Sequence, residues 1–289
     1  MFRVAAEDIR ARMRRIRWTL SAVYAKQEYL KMITSISNPQ IKKVIQLNSK
    51  SKTRREEHCF VAEGVKLFRE TPESFRKNVF VSETFMKETG HDAILNGIQF
   101  ECVSDPVFAR MCDTKTPQGI LTVAEMPEYT REQLFGNGNC APLLLVLEDL
   151  QDPGNVGTIL RTAEGAGVTG IFMSGRTADV FQPKVIRSTM GSIYRVPFRR
   201  EEDLADVCDW LKENSIRIFA AHLRGEKNYR DENYTSGTAF LIGNEGNGLS
   251  DMLSGKADAL IRIPMEGSVE SLNAAVASAL LMYAAHDQR

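Results

Sequence analysis

The stretch LLLVLEDLQDPGNVGTILRTAEGAG, Leu143 to Gly167, decides how the rest of the chain is read. Five consecutive apolar residues, Leu143 to Leu147, are short enough for a strand and apolar on both faces, as a strand buried in a parallel sheet must be. Glu148-Asp149 and Asp152-Pro153-Gly154-Asn155 break that pattern, and Gly157 permits a tight turn. From Thr158 the run TILRTAEGAG reads as a helix closing on Gly165 and Gly167. A strand, a glycine-bearing loop and a helix in that order make a common ligand site beside a parallel sheet. Arg161 stands one turn into the helix, a spacing from Asn155 expected to bring amide and guanidinium over one rim. The bland alternative is a crossover loop with an ordinary surface arginine.

Outward from this stretch, the chain of 289 residues is long enough for two domains with separate cores. Apolar residues make up 43% and charged residues 26%, the balance of a globular protein. No apolar run approaches the roughly 20 residues that span a bilayer. The net charge of zero is unevenly spread: residues 1–130 carry 21 basic and 16 acidic side chains, residues 131–289 carry 16 and 21. A polyanionic partner is therefore expected to meet the N-terminal half first. The five cysteines are scattered and odd in number, and the four histidines share no ligand spacing. That argues against a disulfide framework and a zinc site, and the expectation is a cytoplasmic protein without metal.

Residues 1–31 stand apart. Arg10, Arg12, Arg14, Arg15 and Arg17 crowd a helical-looking segment, which reads as a basic arm for RNA. No apolar core follows them, so a secretory signal is excluded. A rival reading takes Met32 as the true start, since MITSISNPQIKKVIQL looks like an ordinary beginning and Gln27-Glu28 is encodable as a ribosome-binding AGGAG just upstream.

Residues 32–125 read as a small α/β domain, with a helix from Asn38-Pro39, a polar loop KSKTRREEH, then strands and helices alternating through TPQGILTVAE. Lys42, Lys43, Lys50, Lys52, Arg54 and Arg55 fall in a segment without acids. They are either a solvated face or a set of phosphate contacts. Residues 126–141, polar and ending Gly-Asn-Gly-Asn, read as a linker with room for one short helix. From Pro142 to the end, strands alternate with helices, which implies a mostly parallel sheet covered on both faces.

Two further polar turns follow apolar strands in this second half. In LIGNEGNGLS, Gly243, Gly246 and Gly248 free the backbone to approach a ligand closely. The spacing is GxxGxG, which is not the dinucleotide fingerprint. In IRIPMEGSVESLNAAVASALLMYAAH, a strand stops at Pro264, and a loop enters a helix near Ser271 or Leu272, with Ser271 as its expected cap. The alanines of that helix allow another backbone to pack closely, in the core or across a dimer interface.

Together, Asn155-x-Gly157-x-x-x-Arg161, GNEGNGL and IPMxGSVxSLNxAxA resemble, in order and spacing, the three motifs of the SpoU/TrmH family, RNA ribose 2′-O-methyltransferases of the SPOUT superfamily. The front domain resembles the ribosomal-protein-like (L30e-like) substrate-binding module found before some of these enzymes. The resemblance implies an α/β fold whose C-terminal domain is a deep trefoil knot with a mostly parallel sheet, an exception to the rule against threaded chains. It implies S-adenosylmethionine as cofactor, held by Gly243, Ile263 and Leu272 largely through backbone groups, with Asn244, Gly248, Pro264 and Met265 beside them. It implies a homodimer acting on RNA, with ribosomal RNA favoured over tRNA by the two-domain layout. By position Arg161 is the catalytic arginine, either orienting the ribose hydroxyl and the neighbouring phosphate or acting as the base. Asn155 and Glu245 are expected to position Arg161 and the loops, and Ser271 and Asn273 to hold the substrate or cofactor edge. Competing readings are a non-catalytic RNA-binding protein of this fold and the base-methylating branch of the superfamily.

Overall fold

A computed structural model describes residues 32–88 and 91–289. The basic arm read at residues 1–31 therefore lies outside the described residues, as does what precedes Met32. The first domain is a four-stranded sheet in the order β1-β4-β2-β3, with β1 Cys59–Glu63, β2 Arg76–Ser82, β3 Glu101–Val103 and β4 Ile120–Glu125. Strand β4 runs antiparallel to both β1 and β2, and β3 joins β2 in parallel. The segment read as a polar loop is helical over Ser51–Glu57, directly after the helix Pro39–Ser49. Its arginines and lysine are good helix formers, and the buried Arg54 anchors the turn.

The second domain is a seven-stranded sheet in which every pairing is parallel, ordered β7-β6-β5-β10-β8-β11-β9. Its strands are β5 Leu143–Leu147, β6 Gly170–Ser174, β7 Phe198–Glu201, β8 Arg217–Ala221, β9 Lys227–Asn228, β10 Thr238–Ile242 and β11 Ala259–Arg262. All five residues of β5 and of β10 are buried, which is why Leu143–Leu147 and Ala239–Ile242 read as unbroken apolar runs. From β5 the chain steps to β6 on one side, while β10 returns on the other. The carboxyl ends of β5 and β10 thus flank a topological switch point. After β11, two strands beyond β10, the chain comes back to lay the helix Ala274–His286 against the helix Pro153–Gly165.

Residues 126–141 are strapped to the second sheet. Leu134 is fully buried among Leu144, Phe172 and Leu204. A side chain at Gly170 would sit 2.4 Å from Leu134 Cβ, so the glycine makes the room. Phe135 stacks on Trp210, and Arg131 reaches Glu201 and Asp206.

The two sheets share a core. Phe60, Ala62 and Leu67 of the first domain pack in one cluster with Val180, Val185 and Tyr194 of the second. Around that apolar seam, Tyr194 hydrogen-bonds Thr71, Arg187 pairs with Asp113, and Arg195 bridges Glu70 and Glu164. Arg54 is 4% exposed and belongs to this seam. Its Nε and Nη2 donate to Asp179 at 3.0 and 2.6 Å, and Nη1 donates to the Leu47 carbonyl at 2.6 Å. The expectation of a phosphate contact at Arg54 is thus overturned, because a buried guanidinium bonded through all three of its nitrogens inside the interface is not presented to an outside phosphate.

Candidate active site

The helix after β5 begins at Pro153, earlier than the expected Thr158, because Asp152 caps it by accepting the Asn155 N–H at 2.9 Å and Pro153 suits the first turn. Asn155 is therefore a helical residue in that turn, buried with its side chain turned toward the loops. Gly157 serves helix packing rather than a turn: a Cβ there would lie 2.5 Å from Ser188 Cβ on the helix Pro183–Thr189. At the far end of the chain, Asn273 rather than Ser271 caps the last helix, accepting from the Ala275 and Val276 amides at 2.9 and 3.3 Å. Two amides bonded to one oxygen fix the cap two residues later than the sequence suggests.

These caps place three polar side chains in one line. Asn155 Nδ2 donates to Glu245 Oε1 at 3.0 Å, and Asn155 Oδ1 accepts from Asn273 Nδ2 at 2.9 Å. Glu245 also accepts the main-chain N–H groups of Gln151 and Asp152, each at 3.1 Å. Partial burial pushes the Glu245 carboxyl up, but the bonds from Asn155 and the backbone amides outweigh it and hold the group below the usual carboxylate range. Glu245 is thereby kept anionic as the point to which the loops after β5 and β10 are tied. Asn244 adds a second tie: its Nδ2 donates to the Asp149 carbonyl at 2.7 Å, and its backbone pairs with Gly248 in both directions. Asp149 adopts φ +54°, and Gly248 takes φ +68° at no steric cost.

Around this line lies a cleft of about 720 Å³. Every residue expected at the cofactor lines it: Gly243, Asn244, Gly248, Ile263, Pro264, Met265 and Leu272, together with Glu245, Ser271 and Asn273. Its wall at Gly243 is bare backbone, where a Cβ would fall 2.2 Å from the Gly248 carbonyl carbon. The volume suits a ligand of nucleoside size, and the mixture of main-chain groups with Ile263, Leu272 and Met265 suits a flat base edge and an apolar body. These residues fit S-adenosylmethionine. Ala221, His222 and Leu223, from the end of β8, line the same cleft and were not singled out in the sequence. Only the strand order, which sets β8 beside β10, brings them there.

Arg161 is not among the lining residues. It projects from the helix Pro153–Gly165 into solvent and makes no hydrogen bond or ion pair with a described residue. Six residues on a helix turn it well away from Asn155, so the expected meeting over one rim does not occur within one chain. Of the basic set in the first domain, Lys42, Lys50 and Arg55 are exposed, while Lys43 and Lys52 are exposed but paired with Glu57 and Glu56. Among the described residues no helix is long and apolar enough to cross a membrane, and no group of side chains is arranged to hold a metal ion.

Comparison with known proteins agrees with this geometry. The sequence profile of the SpoU rRNA methylase family matches residues 142–283, and that of the MRM3-like substrate binding domain matches residues 38–122. The chain is 33% identical over 256 residues to the 23S rRNA (guanosine(2553)-2′-O)-methyltransferase RlmP of Bacillus subtilis, covering 88% of this chain and 98% of that one. An AdoMet-bound rRNA methyltransferase from Sinorhizobium meliloti superposes with a TM-score of 0.77 at 30% identity, over 89% of this chain and 97% of the other. The SpoU methyltransferase AviRb from Streptomyces viridochromogenes, in complex with AdoMet, superposes with a TM-score of 0.78 at 25% identity, over 87% and 98%. With three motif loops tied around one cofactor-sized cleft and a relative alike along nearly its whole length, the chain belongs to the SpoU family of S-adenosylmethionine-dependent RNA methyltransferases.

Proposed function

We propose that this protein methylates the ribose 2′-hydroxyl of a nucleotide in 23S ribosomal RNA, and does so in the cytoplasm as a homodimer. The observation that carries the reading is the hydrogen-bonded line Glu245–Asn155–Asn273, which holds the three motif loops around the cleft. The substrate is argued from the two-domain layout, shared with the ribosomal RNA enzyme of Bacillus subtilis over 98% of that chain.

When bound, S-adenosylmethionine supplies an electrophilic methyl group on a cationic sulfur. Gly243, Ile263 and Leu272 hold it through main-chain groups and apolar walls, and Ser271 and Asn273 meet its edge or that of the substrate. Transfer needs an in-line approach of the ribose oxygen and charge stabilisation as the hydroxyl loses its proton. Arg161 serves both needs by orienting the hydroxyl and an adjacent phosphate with a planar, permanently charged fork. Asn155 and Glu245 do not touch Arg161; they position the loops instead.

A second copy explains how Arg161 reaches a cleft. The last helix leaves Val276 49% and Tyr283 44% exposed, and a Cβ at Gly165 would meet the Tyr283 hydroxyl at 3.2 Å. The apolar face and the Arg161 helix thus form one continuous surface. Pairing two copies through it covers the apolar side chains and lets Arg161 of each copy serve its partner's cleft.

The test is to incubate the protein with methyl-labelled S-adenosylmethionine and, separately, unmodified 23S rRNA and tRNA, then digest to nucleosides. A 2′-O-methylnucleoside from 23S rRNA is the expected product. Label on a base overturns the ribose assignment, label in tRNA alone overturns the substrate, and cofactor binding without transfer favours a binding-only protein.

A further inference from the structure

Between the cleft and the first domain runs a continuous series of contacts built on arginines. Asn244, on the cleft wall, bonds the Asp149 carbonyl, and the Asp149 carboxylate pairs with Arg176 at 2.5 Å. Arg176 remains 82% exposed. The next residues of that loop are gripped by Arg200, whose Nη1 donates to the Gly175 carbonyl at 2.7 Å and Nη2 to the Ala178 carbonyl at 3.2 Å. Asp179 follows, and it is consumed by Arg54 of the first domain. Arg55 stands next to Arg54, exposed and without an ion pair among the described residues, and Lys52, three residues earlier on the same helix face, keeps its side chain 80% exposed while pairing with Glu56 at 3.7 Å.

The charges in this series are poorly balanced. Arg200 loses basicity to burial, gains some back from Asp179, and loses more to the nearby charge of Arg55. Asp179, the acid that would neutralise both, already serves the buried Arg54. Arg55, next to Arg54, and Arg200, bonded to the Ala178 carbonyl next to Asp179, thus flank the Arg54–Asp179 pair with like charge, and a polyanion laid across them relieves the repulsion. Arg200 and Arg176 are also held in place. Arg200 is tethered by two carbonyls, and the domains beneath it share one core, so the spacing is preset and little side-chain entropy is lost on binding.

We propose that Lys52, Arg55, Arg200 and Arg176 form a phosphate track that carries the RNA backbone from the substrate domain, across the seam, to the cleft. This rests on the reading of the protein as an RNA methyltransferase and adds the path by which the RNA enters. Because the domains are docked through a common core, the track has one length, and the target nucleotide lies at a fixed distance from whatever RNA element the first domain grips.

The experiment uses the full chain with Arg55→Gln, Arg176→Gln and the pair, with Lys256→Gln, bound to Asp209 on the α-helix layer near Leu211, as a control away from the track. RNA affinity is measured across a salt series, with KM and kcat for RNA and the affinity of S-adenosylmethionine. Each track variant is expected to lower the salt slope by about 0.7–0.9, the double variant by about twice that, with KM for RNA raised about tenfold. Cofactor affinity of Arg55→Gln stays at the wild-type value. The proposal fails if the double variant matches wild type in slope and KM, or if Lys256→Gln shifts them equally. It also fails if the double variant loses binding of polyglutamate but not of RNA, which assigns the track to an acidic protein. A wild-type protein that neither binds nor methylates RNA overturns the functional reading itself, an outcome visible without any variant.

Discussion

Asn155 and Glu245, 90 residues apart in the chain, are joined by a single hydrogen bond of 3.0 Å that ties the loop after β5 to the loop after β10. Asn155 is buried, and its other amide atom accepts from Asn273. One side chain thereby links all three motif loops, using the N–H donor and the carbonyl acceptor of its amide at once.

Asn155→Asp replaces the donor toward Glu245 with an anion. The expected result is a protein with cofactor affinity reduced about tenfold or more and a lower Tm, since a buried group left unsatisfied costs about 1–3 kcal/mol. Calorimetric titration with S-adenosylmethionine and a thermal melt check it; unchanged values for both refute the linking role.

The Glu245 carboxyl is held below its ordinary value by the bonds from Asn155 and from the Gln151 and Asp152 amides, which outweigh the upward push of partial burial. A depressed native pKa contributes stability that is present above the unfolded value and lost as pH falls through the native one. The stability gap between wild type and Glu245→Gln should therefore be full at neutral pH and close as pH drops below the ordinary carboxylate range. Urea unfolding of both proteins across that range measures it, and a gap that widens toward acid contradicts the assignment.

At Gly243 the neighbour that a Cβ would strike is backbone, 2.2 Å away, which cannot swing aside. Gly243→Ala should displace the Gly248–Leu249 segment at a cost of about 1–3 kcal/mol, weakening cofactor binding more than it lowers Tm. Equal cofactor affinity in the variant would mean that the close approach has no bearing on the cleft.

Removing Arg54 leaves the partly buried Asp179 without its hydrogen-bonded cation and frees the Leu47 carbonyl. Arg54→Ala should cost about 3–5 kcal/mol of stability, the range for breaking one partner from a buried pair. The salt slope of RNA binding should not change, because the side chain faces the seam. A loss of slope without a loss of stability would return Arg54 to the RNA surface.

For the dimer, Arg161→Ala is expected to be inactive while still binding cofactor, and Gly243→Ala to be inactive at a cofactor concentration that its weakened cleft leaves unfilled. Co-refolded mixtures should regain activity, because a mixed pair holds one intact cleft facing one intact Arg161. Mixtures that stay inactive, or an Arg161→Ala protein with near-normal turnover, would remove the partner role from Arg161.

The sequence by itself determined the chemistry and the layering. Buried parallel strands must be apolar on both faces, so the β5 and β10 runs were visible as LLLVL and TAFLI. Polar motif residues recur after those strands because loops at the carboxyl edge carry the site, and local spacing preserves that record. What the tertiary structure alone decided was direction and partnership. The helix at Pro153 starts where Asp152 finds an amide, the last helix where Asn273 finds two, and neither competition among caps is settled by residue type. Arg54 and Arg55 are indistinguishable in sequence, yet one lies 4% exposed against Asp179 and the other faces solvent. Which of two adjacent arginines turns inward depends on a carboxylate 125 residues away, and a contact of that range is set by the packing of two sheets, not by any local pattern.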